Sequence, residues 1–169
     1  MVRQARLGES RFVTFLCNGV ATRLLNDEFV RRLEYWCRKL GKKRFVTFIG
    51  DCVAKGLMIP EFYLQLLVWF RQLGANRFVT FISKDPLASR ITNEAFKARL
   101  RIWRTEVQND DLFTSIFSKG CFVKRVADND EFNQKALAKL RVLGAKEFRY
   151  TAGKHEGKKL DTWISTAVV

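Results

Sequence analysis

The sequence predicts an all-α protein, an α-solenoid built from about four helical repeats of 33–36 residues. The first observation is the pentapeptide RFVTF, which occurs at 11–15, 44–48 and 77–81, at a constant spacing of 33 residues. The second is a Leu-Gly dipeptide that recurs with the same period just before each copy. A fixed period of this size is typical of repeat architectures, in which each unit buries its apolar face against the next one.

A long amphipathic helix is the clearest element of each unit. Its apolar residues step by four, three and four in the first three copies, which places them on one helical face. Asn26 and Thr92 are predicted N-caps, Pro60 suits a first helical position, Asp130 can cap the last helix, and the Gly after each Leu is placed as a C-terminal cap. The four apolar stripes are Phe29, Leu33, Trp36 and Leu40; Phe62, Leu66, Trp69 and Leu73; Phe96, Leu100, Trp103 and Val107; and Phe132, Ala136, Leu140 and Leu143, with Lys139 where a Trp is expected.

The RFVTF segment is the second element, and two structures are open for it. Phe78, Val79, Phe81 and Ile82 follow the i, i+1, i+3, i+4 spacing of a short helix, which we favour. Phe, Val and Thr also favour strands, so the alternative is an α/β fold with buried parallel strands at the RFVTF segments. In either case we interpret the repeated motif as one packing surface used three times.

A loop or brief turn is expected between the short helix and the next long one. Asn18-Gly19 and Asp51 offer turns, and Asp85-Pro86 is typical of the start of a further short helical turn. The predicted helical array spans 1–144, with units near 9–41, 42–74, 75–108 and 109–144. Residues 145–169 are expected to form an atypical C-terminal cap or tail, because terminal repeats must face water.

The composition favours a basic globular protein with a polyanionic partner. The chain has 169 residues, of which 47% are apolar, and its 31 basic and 17 acidic residues leave a net charge of +14. Such a charge indicates nucleic acid before an anionic membrane. The longest dense apolar run, LQLLVWF, is too short to cross a bilayer, and the first residues lack the apolar stretch of a secretory signal. We therefore expect no membrane span and an intracellular location.

The sequence offers little catalytic or metal-binding chemistry. The four cysteines have no CxxC spacing, and the single His155 has no cluster of ligands that would complete a zinc site. The stretch GKHEGKK at 153–159 departs from a phosphate-binding loop, because its glycines are one residue too close and Lys159 replaces the Ser or Thr. We predict no catalytic residues, no metal and no cofactor, and therefore a protein that is not an enzyme.

Basic residues that recur outside the apolar stripe are the predicted contacts to a nucleic-acid backbone. Equivalent residues of stacked repeats lie on one edge of a solenoid, where a row of cations matches a row of phosphates. A solvated basic surface without a ligand is the alternative interpretation. The predicted contacts are Arg11, Arg44 and Arg77 before the short helix, and Arg23, Lys55, Arg90, Lys124 and Arg125 before the long helix.

The repeats resemble those of transcription-activator-like effectors, on the evidence of the short helix, the loop at Asn18-Gly19 and the long helix that ends at Leu40-Gly41. The resemblance covers about residues 7–144. It implies a DNA-binding array in which a residue pair in each loop reads one base. The pairs so implied are Asn18 and Gly19, Asp51 and Cys52, and Lys84 and Asp85.

Two further families are similar over shorter stretches. The stretch LGANRFVTFISKDPLASRITNEAFKARL is similar to a mitochondrial transcription termination factor repeat, which has three helices and a Pro between the first and second. Pentatricopeptide repeats have about the same length and imply single-stranded RNA. Taken together, the sequence predicts non-catalytic nucleic-acid binding, with DNA marginally preferred over RNA. The alternative is a protein-protein interaction module, such as a subunit of a ribonucleoprotein or an effector with a host protein as its partner.

Overall fold

A computed structural model describes residues 26–83 and 85–154 of the chain. Every regular element in this part is an α-helix, and no strand is present in it. The predicted all-α class is therefore confirmed for the described residues. The helices are α1 (Asp27–Leu40), α2 (Lys42–Phe48), α3 (Asp51–Gly56), α4 (Pro60–Ile82), α5 (Asp85–Ala88), α6 (Glu94–Val107), α7 (Asp110–Phe117), α8 (Gly120–Asp128), α9 (Asp130–Leu143) and α10 (Ala145–Lys154).

The second and third RFVTF copies are helical, so the α/β alternative is wrong for them. The copy at 44–48 lies in α2, and the copy at 77–81 lies in the last part of α4. Phe45, Phe48 and Ile49 are all at most 2% exposed, and their spacing is that of one helical face. A helix buries these side chains together, whereas a strand would direct neighbouring residues to opposite sides. The first copy lies outside the described residues.

The chain divides into two compact units, Met1–Ala88 and Ser89–Val169. Each contains a long helix followed by two short ones and then another long helix, which is the first part of α4 (60–73) in the first unit and α9 in the second. In the second unit α10 packs against α7 and α9, with Phe148 fully buried. The division into an array over 1–144 and a separate cap over 145–169 stays a prediction.

The connections that were expected to be loops or brief turns contain a third helix. The helices α3 and α8 fill two of them, and α5 begins at Asp85, where a short helical turn was predicted. Val53 and Leu57 in the first unit, and Phe122 and Val126 in the second, are buried at helical spacing. These connections are therefore helical, because each carries its own apolar face and must bury it.

Glycine ends three of the long helical segments. Gly41, Gly74 and Gly144 have φ of 79°, 77° and 79° with ψ of 159°, 166° and 156°. This region of backbone conformation is open almost only to glycine. At the fourth junction the C-cap of the long helix is Gln108, which has φ 58° and ψ −3°. Asn109 follows, and the short helix α7 begins at Asp110. The predicted caps after Leu40, Leu73 and Leu143 are confirmed.

Asparagine caps three of the four long helices that the structure describes, and the fourth begins with proline. The Asn26 side chain accepts a hydrogen bond from the Phe29 amide at 3.0 Å, as predicted, and α4 begins at Pro60. Thr92 and Asp130 were predicted as caps, but Asn93 and Asn129 do the capping. An asparagine one residue away competes well with Thr or Asp for this position, because its side-chain oxygen reaches the same free amides.

The predicted apolar stripes form the core of both units. In the first unit, Trp36 lies among Phe48, Tyr63, Phe70 and Phe78, with ring centroids 5.2–6.5 Å away. In the second unit, Trp103 lies among Phe117, Phe122 and Phe148 at 5.4–5.7 Å. In α9, Leu143 is only half-buried, while Lys139 is buried, with 4% of its surface exposed.

Candidate nucleic-acid interface

The predicted backbone-contacting cations fall into three groups. Arg11 and Arg23 lie outside the described residues. Arg44 and Lys55 in the first unit and Lys124 in the second are exposed and form no ion pair within the described part of the chain. Arg77 is exposed as well, one turn after Gly74.

Arg90 and Arg125 are held by other residues of the second unit. Arg90 makes a two-pronged ion pair with Asp128, with both nitrogen–oxygen distances at 3.0 Å, and this pair holds the pKa of the Asp128 carboxyl below its usual value. The guanidinium carbon of Arg125 lies 5.3 Å from the centre of the Phe132 ring. Both side chains stabilise the packing of α8. A phosphate contact by Arg90 would have to compete with Asp128.

The predicted base-reading pairs do not lie in loops where they are described. Asp51 is the first residue of α3 and is exposed, while Cys52 follows it in the helix and is half-buried. Asp85 is the first residue of α5. Asp51 and Cys52 therefore lie in a helix and not in the loop that the resemblance implies, while Asp85 begins the short helical turn predicted there. Asn18, Gly19 and Lys84 lie outside the described residues.

In the described part of the first unit, the densest positive charge lies at the end of α1 and the start of α2. We call this cluster the basic junction, and its five residues are Arg38, Lys39, Lys42, Lys43 and Arg44. All are exposed, and within the described residues none of them pairs with a carboxylate. Because their charge is not neutralised locally, they create a positive potential that is available to an anionic ligand.

A groove runs between α2 and the last part of α4 (75–82), beside the basic junction. Its volume is about 410 Å³, and no acidic residue lines it. The lining side chains are Lys43, Arg44 and Thr47 from α2, and Asn76, Val79 and Thr80 from α4. Two consecutive repeats thus contribute equivalent short helices to the two walls.

Arg44 is held in position at this groove. Its Nε donates a hydrogen bond to the Asn76 Oδ1 of the next repeat, and its Nη1 donates to the carbonyl oxygen of Leu40 at 3.2 Å. Its Nη2 makes no hydrogen bond within the described residues. On the other wall, the Thr80 hydroxyl donates to the Asn76 carbonyl oxygen at 3.2 Å. The guanidinium is therefore fixed by neutral partners while part of its donor capacity remains unused.

The RFVTF motif has two faces, and the sequence interpretation covered only one of them. The Phe side chains are buried in the described copies, as the packing interpretation requires, but Arg44, Thr47, Arg77 and Thr80 are exposed. Packing does not explain the repetition of exposed residues. Helical spacing was the signal that could have separated them, because Arg and Thr lie three residues apart on a face adjacent to that of the two Phe.

The second unit has a different charge at the equivalent place. Its short helix α7 begins with Asp110 and Asp111, and Leu112 stands where Arg44 and Arg77 stand in the first unit. Arg104 pairs with Asp110, and Arg141 pairs with Glu106 at 2.8 Å. The cations near this junction are therefore largely neutralised within the unit.

In the described ranges, no group of three or more His, Cys, Asp or Glu residues is placed to hold a metal ion. Among the helices of those ranges, none combines the length and apolarity that crossing a bilayer requires.

Comparison with models of known protein families, with curated proteins and with solved structures finds no match for this chain.

Proposed function

We propose that the chain is a basic α-solenoid of about four helical repeats that binds nucleic acid without catalysing a reaction. The observation that carries the proposal is the basic junction, whose five exposed cations have no carboxylate partner among the described residues. In the same part of the chain, no acidic residue lines the groove beside it. Cations of this kind release counterions from a phosphate backbone when they bind it, and this release supplies most of the sequence-independent affinity.

Duplex DNA is the preferred ligand, and RNA is the second choice. The preference rests on the resemblance of the repeats to transcription-activator-like effectors. Base reading at Asp51, Cys52 and Asp85 remains part of the proposal. Because Asp51 is exposed at a helix start, a base would reach it at the surface, while half-buried Cys52 offers less contact.

The test is a salt series with labelled duplex DNA, single-stranded DNA and RNA of equal length. We expect the logarithm of the binding constant to fall linearly with the logarithm of salt concentration, and duplex DNA to bind most tightly. Replacing Lys42, Lys43 and Arg44 by Gln should lower the steepness of this dependence by roughly one unit for each lost contact.

A charge-matched control separates local contact from net charge. Replacing Arg101, Lys135 and Lys146 of the second unit by Gln removes the same number of charges from exposed positions. This control should keep most of the affinity. Equal losses in both triple variants would reject the basic junction as the binding surface, and no binding to any probe at low salt would reject the function.

A protein-binding module is the second candidate, and exposed apolar residues on α4 favour it. Leu64 and Val68, one helical turn apart, are 59% and 43% exposed. A partner helix with an apolar face could cover them. This candidate leads if none of the nucleic acids binds and if light scattering detects association that Leu64→Asn with Val68→Asn removes.

A further inference from the structure

The groove between α2 and the last part of α4 combines charged and neutral hydrogen-bond donors. Lys43 and Arg44 supply the charge, while the hydroxyls of Thr47 and Thr80 and the amide of Asn76 are neutral. We infer that this groove binds one backbone phosphodiester of the nucleic acid, which makes it a defined phosphate site within the proposed interface. The inference rests on the proposed function and adds the residues and the ligand group.

The fixed position of Arg44 is the first argument. A long side chain that is mobile in the free protein loses freedom on binding, and this loss weakens the complex. Arg44 is already held by Asn76 from the neighbouring repeat and by the Leu40 carbonyl, both neutral acceptors. Its charge is therefore not cancelled, and its Nη2 is left to donate to a ligand oxygen.

The neutral donors are the second argument. Contacts to nucleic-acid backbones come from Arg and Lys together with Ser, Thr and Asn side chains, which is the composition of this groove. A purely electrostatic surface would need only the cations. Thr47 and Thr80 are equivalent residues of consecutive repeats and both are exposed into the same groove. Each hydroxyl can donate to a phosphate oxygen, that of Thr80 by exchanging its bond to the Asn76 carbonyl oxygen for one to the ligand.

The second unit lacks this set of donors, which is the third argument. Along α7, Asp111, Leu112 and Ser115 stand at the positions of Lys43, Arg44 and Thr47. Along α10, Lys146, Arg149 and Tyr150 stand at the positions of Asn76, Val79 and Thr80, so this unit has a different set of groups, with the acidic Asp111 among them. An acidic residue next to the site would repel a phosphate. The site is therefore expected only where the RFVTF motif supplies both Arg and Thr.

Threonine variants provide the sharpest test. Thr47→Val with Thr80→Val keeps the side-chain shape and every charge, so it should weaken duplex DNA binding by about two- to tenfold while the salt dependence keeps its slope. Arg44→Gln should weaken binding and also lower the slope by about one unit. Arg101→Gln, an exposed cation of the second unit, is the control and should change both quantities less than Arg44→Gln.

A spectroscopic measurement then locates the ligand. The backbone amide signals of Thr47 and Thr80 in a ¹⁵N–¹H spectrum should shift on addition of duplex DNA and saturate together with the binding curve. If the wild type binds DNA but the Thr and Arg44 variants match the Arg101→Gln control, the groove assignment fails and the proposed function stands. If the wild type binds none of the nucleic acids, both fail.

Inorganic phosphate distinguishes a backbone phosphodiester from a free phosphate. At matched ionic strength, millimolar phosphate should leave the Thr47 and Thr80 signals almost unchanged, because the groove is expected to take the diester as part of a longer ligand. Saturation of these signals by phosphate alone would overturn the assignment to a nucleic-acid backbone. Circular dichroism melts of every variant verify that each remains folded.

Discussion

The two units use the same order of helices, but they place charge and polar groups differently. In the first unit the central Trp36 is surrounded by aromatic rings, and the cations at the basic junction are exposed and form no ion pair with any carboxylate of residues 26–83 and 85–154. In the second unit the indole Nε1 of Trp103 donates to the buried Asn133 Oδ1 at 2.8 Å, and Arg141 is neutralised by Glu106. The two units therefore share the order of their helices and the burial of their apolar stripes, while their surface charge differs.

The largest expected effect concerns the core that both units share. Trp36→Ala should lower the free energy of unfolding by about 3–5 kcal/mol, because a fully buried aromatic side chain leaves a cavity among several rings. Trp69→Ala and Trp103→Ala should fall in the same range. Urea denaturation followed by circular dichroism measures each loss. A loss under about 1 kcal/mol at Trp69, together with lost nucleic-acid binding, would instead identify that residue as a base-stacking surface.

The next effect is a difference in stability between substitutions of Trp103 and of Trp36. Trp103→Phe should cost about 1–3 kcal/mol more than Trp36→Phe, because it leaves the buried Asn133 oxygen without its donor. The Nε1 of Trp36 is buried and has no hydrogen-bond partner in the described part of the chain, so removing it sacrifices no such bond. Adding Asn133→Leu to Trp103→Phe should recover much of the difference. Equal costs for the two Phe variants would show that the Trp103–Asn133 bond contributes little to stability.

A smaller effect is expected at Lys139, which stands in the second unit where Trp69 stands in the first. Burial lowers the pKa of the Lys139 ammonium, because the charged form loses hydration. The unfolded chain then binds more protons than the folded one, so this penalty is present at neutral pH and is relieved as the pH rises towards the ordinary lysine value.

Lys139→Met should therefore stabilise the protein at pH 7, and the advantage should shrink at alkaline pH. Paired urea titrations of the variant and the wild type at several pH values measure the difference. Lys135→Met, at an exposed position of the same helix, is the control and should show no such trend. An advantage that grows with pH would contradict the assignment.

The smallest effect concerns the ion pair between Arg90 and Asp128. Because the folded pKa of Asp128 is lowered, its contribution is present above the unfolded value and is lost as the pH falls through the folded value. Asp128→Asn should cost about 0.2–1 kcal/mol at pH 7, since the carboxylate is half exposed, and almost nothing in strong acid. Thermal melts of the variant and the wild type at pH 7 and in strong acid measure this cost. A cost that persists unchanged in acid would point to packing rather than charge.

The sequence was most informative about the long helices, because four apolar residues at regular spacing and a cap at each end are local signals. Asn26, Pro60 and the junction glycines could be assigned in this way. The helix at Asp51–Gly56 was missed, since a segment of six residues that follows one glycine and ends in another has too little periodicity to exclude a turn.

The groove could be predicted only in part, because it joins residues of two repeats. The exposed positions of Arg44 and Thr47 follow from helical spacing, but the hydrogen bond from Arg44 to Asn76 spans 32 residues and depends on how consecutive repeats pack. The partner of Arg90 lies 38 residues away, beyond the reach of any local pattern. These hydrogen bonds between residues that are distant in the sequence could therefore be identified only from the structure.

The junction at Gln108 has a consequence for how such proteins can be detected. Where glycine ends a long helix, a single residue separates it from the next helix, whereas two residues, Gln108 and Asn109, separate α6 from α7. At this junction the glycine is absent and one additional residue lies between the two helices. The starts of the long helices, at 27, 60, 94 and 130, drift away from a strict period for this reason among others. A search for internal repeats that assumes a constant length would lose the alignment at the unit whose junction has lost its glycine.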